Sequence, residues 1–307
     1  MSRRVSGAIA FTLCSMIWGS TFAVCKMALQ EFRPMELVIA RFVLGAAALL
    51  PIAVRQAGAL VSHWKTLAIL GVVGVTIPYA VQNWALEMTT ATTAGLIMAS
   101  IPALTSIFSV LLLKESVSAR RWVGILVSIA GVLILILAEA GAVGGGDSRA
   151  LVGNALQAGC AVSWGLYTVL SKRAISDGIP DSAVTAGSII AGLVLCIPLA
   201  LVELMGGGWS APSTVGLLQV LYLGVFASAG TFFLWNFGLK WFDASEAGIF
   251  DSTVPVWSVL TAMVLLGERL LPYQYAGGAL AIGGVLLALY KSRGKSRSMD
   301  NGMLRNT

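Results

Sequence analysis

Apolar residues run along this chain in blocks of about 20, separated by short polar or charged breaks, almost from end to end. An α-helix rises 1.5 Å per residue, so each block can cross a hydrocarbon layer about 30 Å thick. The pattern predicts ten spans, over residues 6–28, 34–54, 65–86, 91–113, 120–138, 150–171, 182–203, 214–238, 244–266 and 273–290. The alternating ten-residue segments of a β-barrel are not visible, and no gap between spans would hold a soluble domain. The expected fold is an all-α polytopic membrane protein with ten transmembrane helices.

A second regularity overlies the first. The stretch "SMIWGSTFAVCKMAL" from Ser15 returns as "AVSWGLYTVLSKRAI" from Ala161. A shift of 146 lays Cys14, Trp18, Gly19, Lys26 and Pro34 on Cys160, Trp164, Gly165, Lys172 and Pro180. A shift of 153 lays "NWALEMTTATTAGLIMASIPALTS" from Asn83 on "NFGLKWFDASEAGIFDSTVPVWSV" from Asn236, with Asn, Leu, Ala, Gly and Pro in register. It also pairs Glu115 with Glu268, Gly124 with Gly277 and Gly131 with Gly284. The organisation read from this is a five-helix repeat over 1–140, a Gly-rich linker over 141–149, a second repeat over 150–290 and a disordered basic tail over 291–307. Five crossings are an odd number, so the second copy enters the membrane from the opposite side. Inverted repeats place a transport site near the midplane, between the halves.

Composition agrees with the pattern: 57% of residues are hydrophobic and 11% charged, whereas soluble domains carry about 25% charged residues. The net charge of +6 does not point to nucleic acid, because the basic residues lie in inter-helix loops and the tail. One side holds Arg3, Arg4, Arg55, Lys65, Lys114, Arg120, Arg121, Lys172, Arg173, Lys240 and the tail, and the other only Arg33, Arg149 and Arg269. By the positive-inside rule both termini are cytoplasmic, and the expected location is a bacterial inner membrane. Ser2, Arg3 and Arg4 before an apolar stretch resemble a signal peptide, but that stretch is too long and lacks a small-x-small cleavage site, so it reads as a retained first helix.

Cys14, Cys25, Cys160 and Cys196 all fall in apolar runs and read as packed free thiols, with no ligand pair at metal spacing. His63, the only histidine, sits in a loop and leaves no His-based relay. No Gly-rich loop ending in Lys-Ser/Thr is present, so ATP is not the direct energy source. No cofactor or metal is expected. The expected partners are a small-molecule solute and membrane lipid, with the chain working as a monomer.

Several intramembrane residues are candidates for chemistry. Pro102 and Pro255 are repeat equivalents near the middles of their spans, where proline removes one backbone hydrogen bond, kinks the helix and frees the carbonyls of Met98 and Asp251. Ser100, and Ser252 with Thr253, stand ready to satisfy the freed groups. The kink either serves packing alone or shapes a site and hinges a gate. Asp251 lies about 10 Å into the membrane by helical rise, and its repeat partner is Met98, so duplication does not demand the charge. It either binds a proton or a substrate ammonium, or it is bonded to hydroxyls beside the kink. Trp18 and Trp164 are mid-span rather than at the interfaces. They form aromatic walls for a substrate or fill the seam between halves, with Tyr79, Phe250 and Trp257 as further aromatic surface.

Asn83 and Asn236 read chiefly as ties between helix ends. Arg41 has Gly187 as its partner and does not share a face with Glu36. It is met by carbonyls or by a carboxylate from another helix, with substrate-carboxylate binding or gating as the functional alternative. Lys26 reads as a helix-end lysine that snorkels to water or reaches Glu36. Gly124, Gly131, Gly277, Gly278, Gly283 and Gly284 read as helix-packing surfaces.

Two five-helix halves, a Trp-Gly in the first helix of each and an Ala-Gly…Pro…Glu pattern in the fourth resemble the drug/metabolite transporter superfamily, specifically its ten-helix EamA-type exporters. The resemblance runs from about Ser6 to Tyr290. It implies a central cavity lined by helices one, three, four, six, eight and nine, with Trp18, Tyr79, Trp164 and the surroundings of Pro102 and Pro255 in the lining. It also implies export of amino acids, other metabolites or toxic cations, with the amino-acid branch and aromatic substrates favoured. The substrate-contacting set is therefore Trp18, Tyr79, Asn83, Met98, Ser100, Pro102, Trp164, Trp235, Phe250, Asp251 and Pro255, with Asp251 as the group for proton or ion coupling. An exporter of lipophilic or cationic drugs is the alternative. A membrane enzyme would need clustered His, Asp, Glu or Ser at one interface, and a channel would not call for paired mid-span prolines.

Overall fold

A computed structural model describes residues 3–114, 118–141, 148–207 and 211–289. The stretch 142–147 of the expected linker, Glu115 and the basic tail lie outside the described residues, while Gly141, Ser148 and Arg149 at the ends of that linker are helical. Among the described residues there is no strand. The described residues form ten helical rods in succession: α1 Arg3–Ala28, α2 Pro34–Ala48 continued by Leu50–Arg55, α3 Trp64–Met88, α4 Ala91–Leu113, α5 Ala119–Gly141, α6 Ser148–Ser176, α7 Asp181–Met205, α8 Thr214–Leu239, α9 Ala244–Asp251 continued by Val254–Leu266, and α10 Pro272–Leu289. One short extra helix, Ala57–Ser62, joins α2 to α3.

Five of these rods are long and apolar enough to cross a membrane on length and composition alone: α1, α3, α4, α7 and α8. α6 is not among them, because its buried face carries Asn154, Gln157, Ser163, Thr168 and Ser171. Those polar groups face protein, where the hydrocarbon does not penalise them. Leu111, Val264 and Met205 are instead exposed on the outside of the bundle, as a lipid-facing surface requires.

Packing follows the repeat. α1 lies against α8 and α9, and its equivalent α6 lies against α3 and α4, the equivalents of α8 and α9. α5 and α10 pack on each other through small residues. A Cβ on Gly131 would lie 2.4 Å from Ala281 N, and one on Gly284 2.3 Å from Ser128 N, so the two backbones touch. Gly283, expected on the same surface, has nothing within 4 Å of a built Cβ and takes no part in it.

Irregular backbone also repeats. α3 contains a π-helical turn over Val72–Thr76 and α8 one over Tyr222–Gly230, and a shift of 153 carries the first into the second. α4 tightens to a 3-10 turn at Met98–Ser100, and α9 breaks at Ser252 and Thr253, one turn before each proline. The backbone N–H of Ile101 takes the Met98 carbonyl. The hydroxyls act one residue earlier than expected: Ser100 Oγ donates to Ile97 O at 2.9 Å and Thr253 Oγ1 to Phe250 O at 2.8 Å. α4 and α9 end at Lys114 (φ 55°) and Gly267 (φ 67°), again equivalents, in the left-handed conformation that terminates many helices.

Helix ends are closed by side chains from elsewhere in the fold. The Glu268 carboxylate accepts from Ala91 N (3.0 Å) and Thr92 N (2.9 Å), and Glu203 accepts from Met35 N (3.0 Å) and Glu36 N (3.1 Å). Anions at helix N-termini meet unpaired N–H groups and the positive end of the dipole. Lys26 Nζ does not reach for Glu36. It donates to Leu86 O at 3.1 Å and to Thr89 O, closing the C-terminus of α3. Lys172 Nζ donates to Leu239 O at 3.0 Å and closes α8 in the same way.

Candidate functional site

A small cavity of about 40 Å³ lies at the centre of the bundle, room for a few water molecules. α1 supplies Trp18, Thr21 and Phe22, α3 Pro78, Tyr79 and Gln82, α4 Met98 and Ile101, α6 Trp164, and α9 Asp251 and Val254. The irregular turns set this geometry. Asp251 ends the first segment of α9, Val254 begins the second, and Met98 lies in the 3-10 turn of α4.

The two halves meet at the cavity wall. Trp18 and Trp164 pack edge to face with centroids 4.9 Å apart and ring planes at 78°. Beside Trp18, Gly19 lets α9 approach α1, since a Cβ there would lie 2.3 Å from Trp257 Cβ and 2.9 Å from Val254 O. Trp257 therefore packs against α1 and is not in the lining. Two thiol contacts flank the pair: Cys14 Sγ donates to Thr231 O at 3.2 Å and Cys160 Sγ to Pro78 O at 3.4 Å. Both donors and both acceptors are repeat equivalents, so the contact is made twice. All four cysteines are free and buried.

Asp251 is 2% exposed and neither carboxyl oxygen has a hydrogen-bond partner among the described residues. The reading in which local hydroxyls satisfy it is thereby corrected. The nearby hydroxyls of Thr253 and of Ser15 go to Phe250 O instead, Ser15 at 2.7 Å. Trp18 Nε1 is likewise buried without a partner. A buried polar group without a partner costs on the order of 1–3 kcal/mol, and these two residues both border the cavity.

Trp18, Tyr79, Met98, Trp164 and Asp251 thus come together around the cavity, while the remaining expected residues stand off it. Trp235 forms a second aromatic layer, 5.1 Å from Trp18 and 6.2 Å from Trp164, and α8 adds nothing to the lining itself. Phe250 packs with Phe11 (5.1 Å) and Phe242 (5.8 Å). The Asn83 amide donates to Pro34 O at 2.9 Å and ties α3 to α2, and Asn236 donates to Tyr167 Oη at 3.0 Å and to Thr185 Oγ1 at 3.1 Å. Ser100, Pro102 and Pro255 shape the breaks without lining the cavity, and Pro102 lies against Gly248 of α9. Thr21, Phe22, Pro78, Gln82, Ile101 and Val254 line it and were not singled out from sequence. Gln82 is the equivalent of Trp235 under the same shift of 153 that pairs Asn83 with Asn236, which is the signal that locates it.

Arg41 of α2 is fully buried. Its Nε donates to Ser228 Oγ at 3.1 Å, Nη1 to Cys25 Sγ at 3.6 Å, and Nη2 to Leu223 O and Ala227 O at 3.5 Å each. The last two carbonyls belong to the π-helical turn of α8, whose wide pitch exposes them. Its guanidinium also lies over the Tyr79 ring, 4.4 Å from the centroid.

The model of the EamA-like transporter family matches residues 5–137 and again 151–290. An uncharacterised transporter of Archaeoglobus fulgidus is 27% identical over 92% of this chain and 97% of its own length. The uncharacterised transporter YetK of Bacillus subtilis is 30% identical over 68% of this chain and 63% of its own. A probable terminal-alkyne amino-acid exporter of Streptantibioticus cattleyicolor is 25% identical over 94% of this chain and 95% of its own. A solved crystal structure, described only as that of a protein, superposes with a TM-score of 0.70 at 25% identity, covering 96% of this chain and all of the other.

Proposed function

The chain belongs to the EamA-like transporter family, and from that premise we propose that it exports small organic solutes, foremost amino acids with aromatic or other apolar side chains. It does so by alternating access of its two halves. The observation that carries this reading is Asp251, a buried carboxyl without a hydrogen-bond partner among the described residues, on a cavity walled by Trp18, Trp164 and Tyr79 where the halves meet. A carboxylate accepts an ammonium, and aromatic faces accept either an apolar side chain or the cation itself. The amino-acid exporter among the relatives supports the same substrate class. The cavity holds only a few waters, so cargo needs a wider state, and the breaks beside Pro102 and Pro255 are where α4 and α9 bend to reach it. Asp251 also takes up the proton that couples transport to a pH gradient. The excess of Lys and Arg in the loops on one side supports an orientation with both termini on the cytoplasmic side of a bacterial inner membrane.

A second reading, export of lipophilic cations, is favoured by one observation: among the described residues of the lining, Asp251 is the only acidic or basic one. Purified protein in liposomes separates the two. Counterflow of labelled Phe, Tyr, Trp, Leu or Thr is expected, and flux of a lipophilic cation without flux of any amino acid overturns the first reading. Asp251→Asn is expected to abolish the dependence of flux on an imposed pH gradient, and unchanged dependence removes Asp251 from coupling.

A further inference from the structure

We infer that Tyr79, backed by the buried cation of Arg41, receives the carboxylate of the solute while Asp251 receives its ammonium, so that the site selects zwitterions over bare amines. The inference rests on the transporter reading above. Tyr79 lines the cavity and is 8% exposed. Arg41 lies behind it, with the guanidinium carbon 4.4 Å from the ring centroid. Among the described residues no carboxylate pairs with Arg41. Its other contacts are a hydroxyl, a thiol and two carbonyls at 3.5 Å, none of which carries a negative charge.

A cation over the face of a phenol draws electron density from the ring and makes the O–H a stronger donor. Its field at the cavity is also positive, and little water intervenes to screen it. Asp251, when ionised, only accepts, and it reaches the cavity from α9 whereas Tyr79 comes from α3. The cavity is therefore bipolar. Neither charge is imposed by the duplication: the repeat equivalents of Arg41 and Asp251 are Gly187 and Met98.

The test compares phenylalanine with its decarboxylated analogue phenethylamine, by counterflow in liposomes and by tryptophan fluorescence on titration in detergent. Phenylalanine is expected to be preferred by the native chain. Tyr79→Phe removes one hydrogen bond to a charged group and should raise the half-saturating concentration of phenylalanine about tenfold or more, with that of phenethylamine unchanged. Arg41→Gln should do the same, and Arg41→Lys should restore part of the preference. Should Arg41→Gln fail to fold, Tyr79→Phe decides alone. Equal loss for both ligands in Tyr79→Phe, or native preference for phenethylamine, overturns the assignment and leaves the transporter reading standing. Counterflow of neither ligand, with no fluorescence response, overturns both.

Discussion

Trp18 and Trp164 touch edge to face, centroids 4.9 Å apart, although 146 positions separate them in the chain. Two copies of one residue meet only near an axis that relates the halves, so this contact marks where the repeats join. Trp18→Ala should destabilise the protein by about 3–5 kcal/mol, as deletion of large buried aromatics does, and should abolish solute-dependent fluorescence change. Trp18→Phe should recover most of the stability. Thermal midpoints in detergent and the fluorescence titration check both statements.

Gly19 is fixed by contact rather than by backbone conformation. A methyl group there would sit 2.3 Å from Trp257 Cβ and 2.9 Å from the Val254 carbonyl, and neither atom belongs to a flexible side-chain end. Gly19→Ala should separate α1 from α9, lowering the thermal midpoint and the flux together. Gly58→Ala, with nothing within 4 Å, should leave both unchanged.

The lysines that close α3 and α8 should behave as a pair. Lys26→Met and Lys172→Met each remove a charged donor from the last carbonyls of a helix, at Leu86 and Leu239 respectively. Each should cost about 1–2 kcal/mol, measured as a shift in thermal midpoint, with no change in solute affinity.

Glu31 makes acid stability a local question. Its carboxylate accepts from Ser213 N and Ser213 Oγ, both at 2.7 Å, and these bonds hold its pKa below the ordinary glutamate range. A depressed folded-state value means that the contribution is present at neutral pH and is lost as pH falls through the acid range. The thermal midpoint of the native chain should therefore drop on acidification by more than that of Glu31→Ala, and parallel pH curves for the two would refute the link.

Much of this protein was legible in one dimension. Membrane class follows from apolar blocks, because hydrocarbon thickness sets a length that a sequence either meets or does not. The duplication follows from register, which by itself locates the matched prolines at 102 and 255 and the paired tryptophans. The sequence could not say which polar groups would be left without partners. Asp251 and Asn83 look alike as polar residues in apolar spans, yet the Asn83 NH2 is used on Pro34 O while neither Asp251 oxygen finds a hydrogen-bond partner among the described residues. Only the packing of α9 against α1 and α4 decides that. In sequence Lys26 reads as a snorkelling side chain, because only the fold brings the end of α3 beside it. Arg41 had no visible partner because its carbonyls are offered by a π-helical turn nearly two hundred residues away. Hydrophobic length and repeat register are local sums that sequence carries in full, whereas hydrogen-bond satisfaction depends on which helices become neighbours, and that is settled in three dimensions.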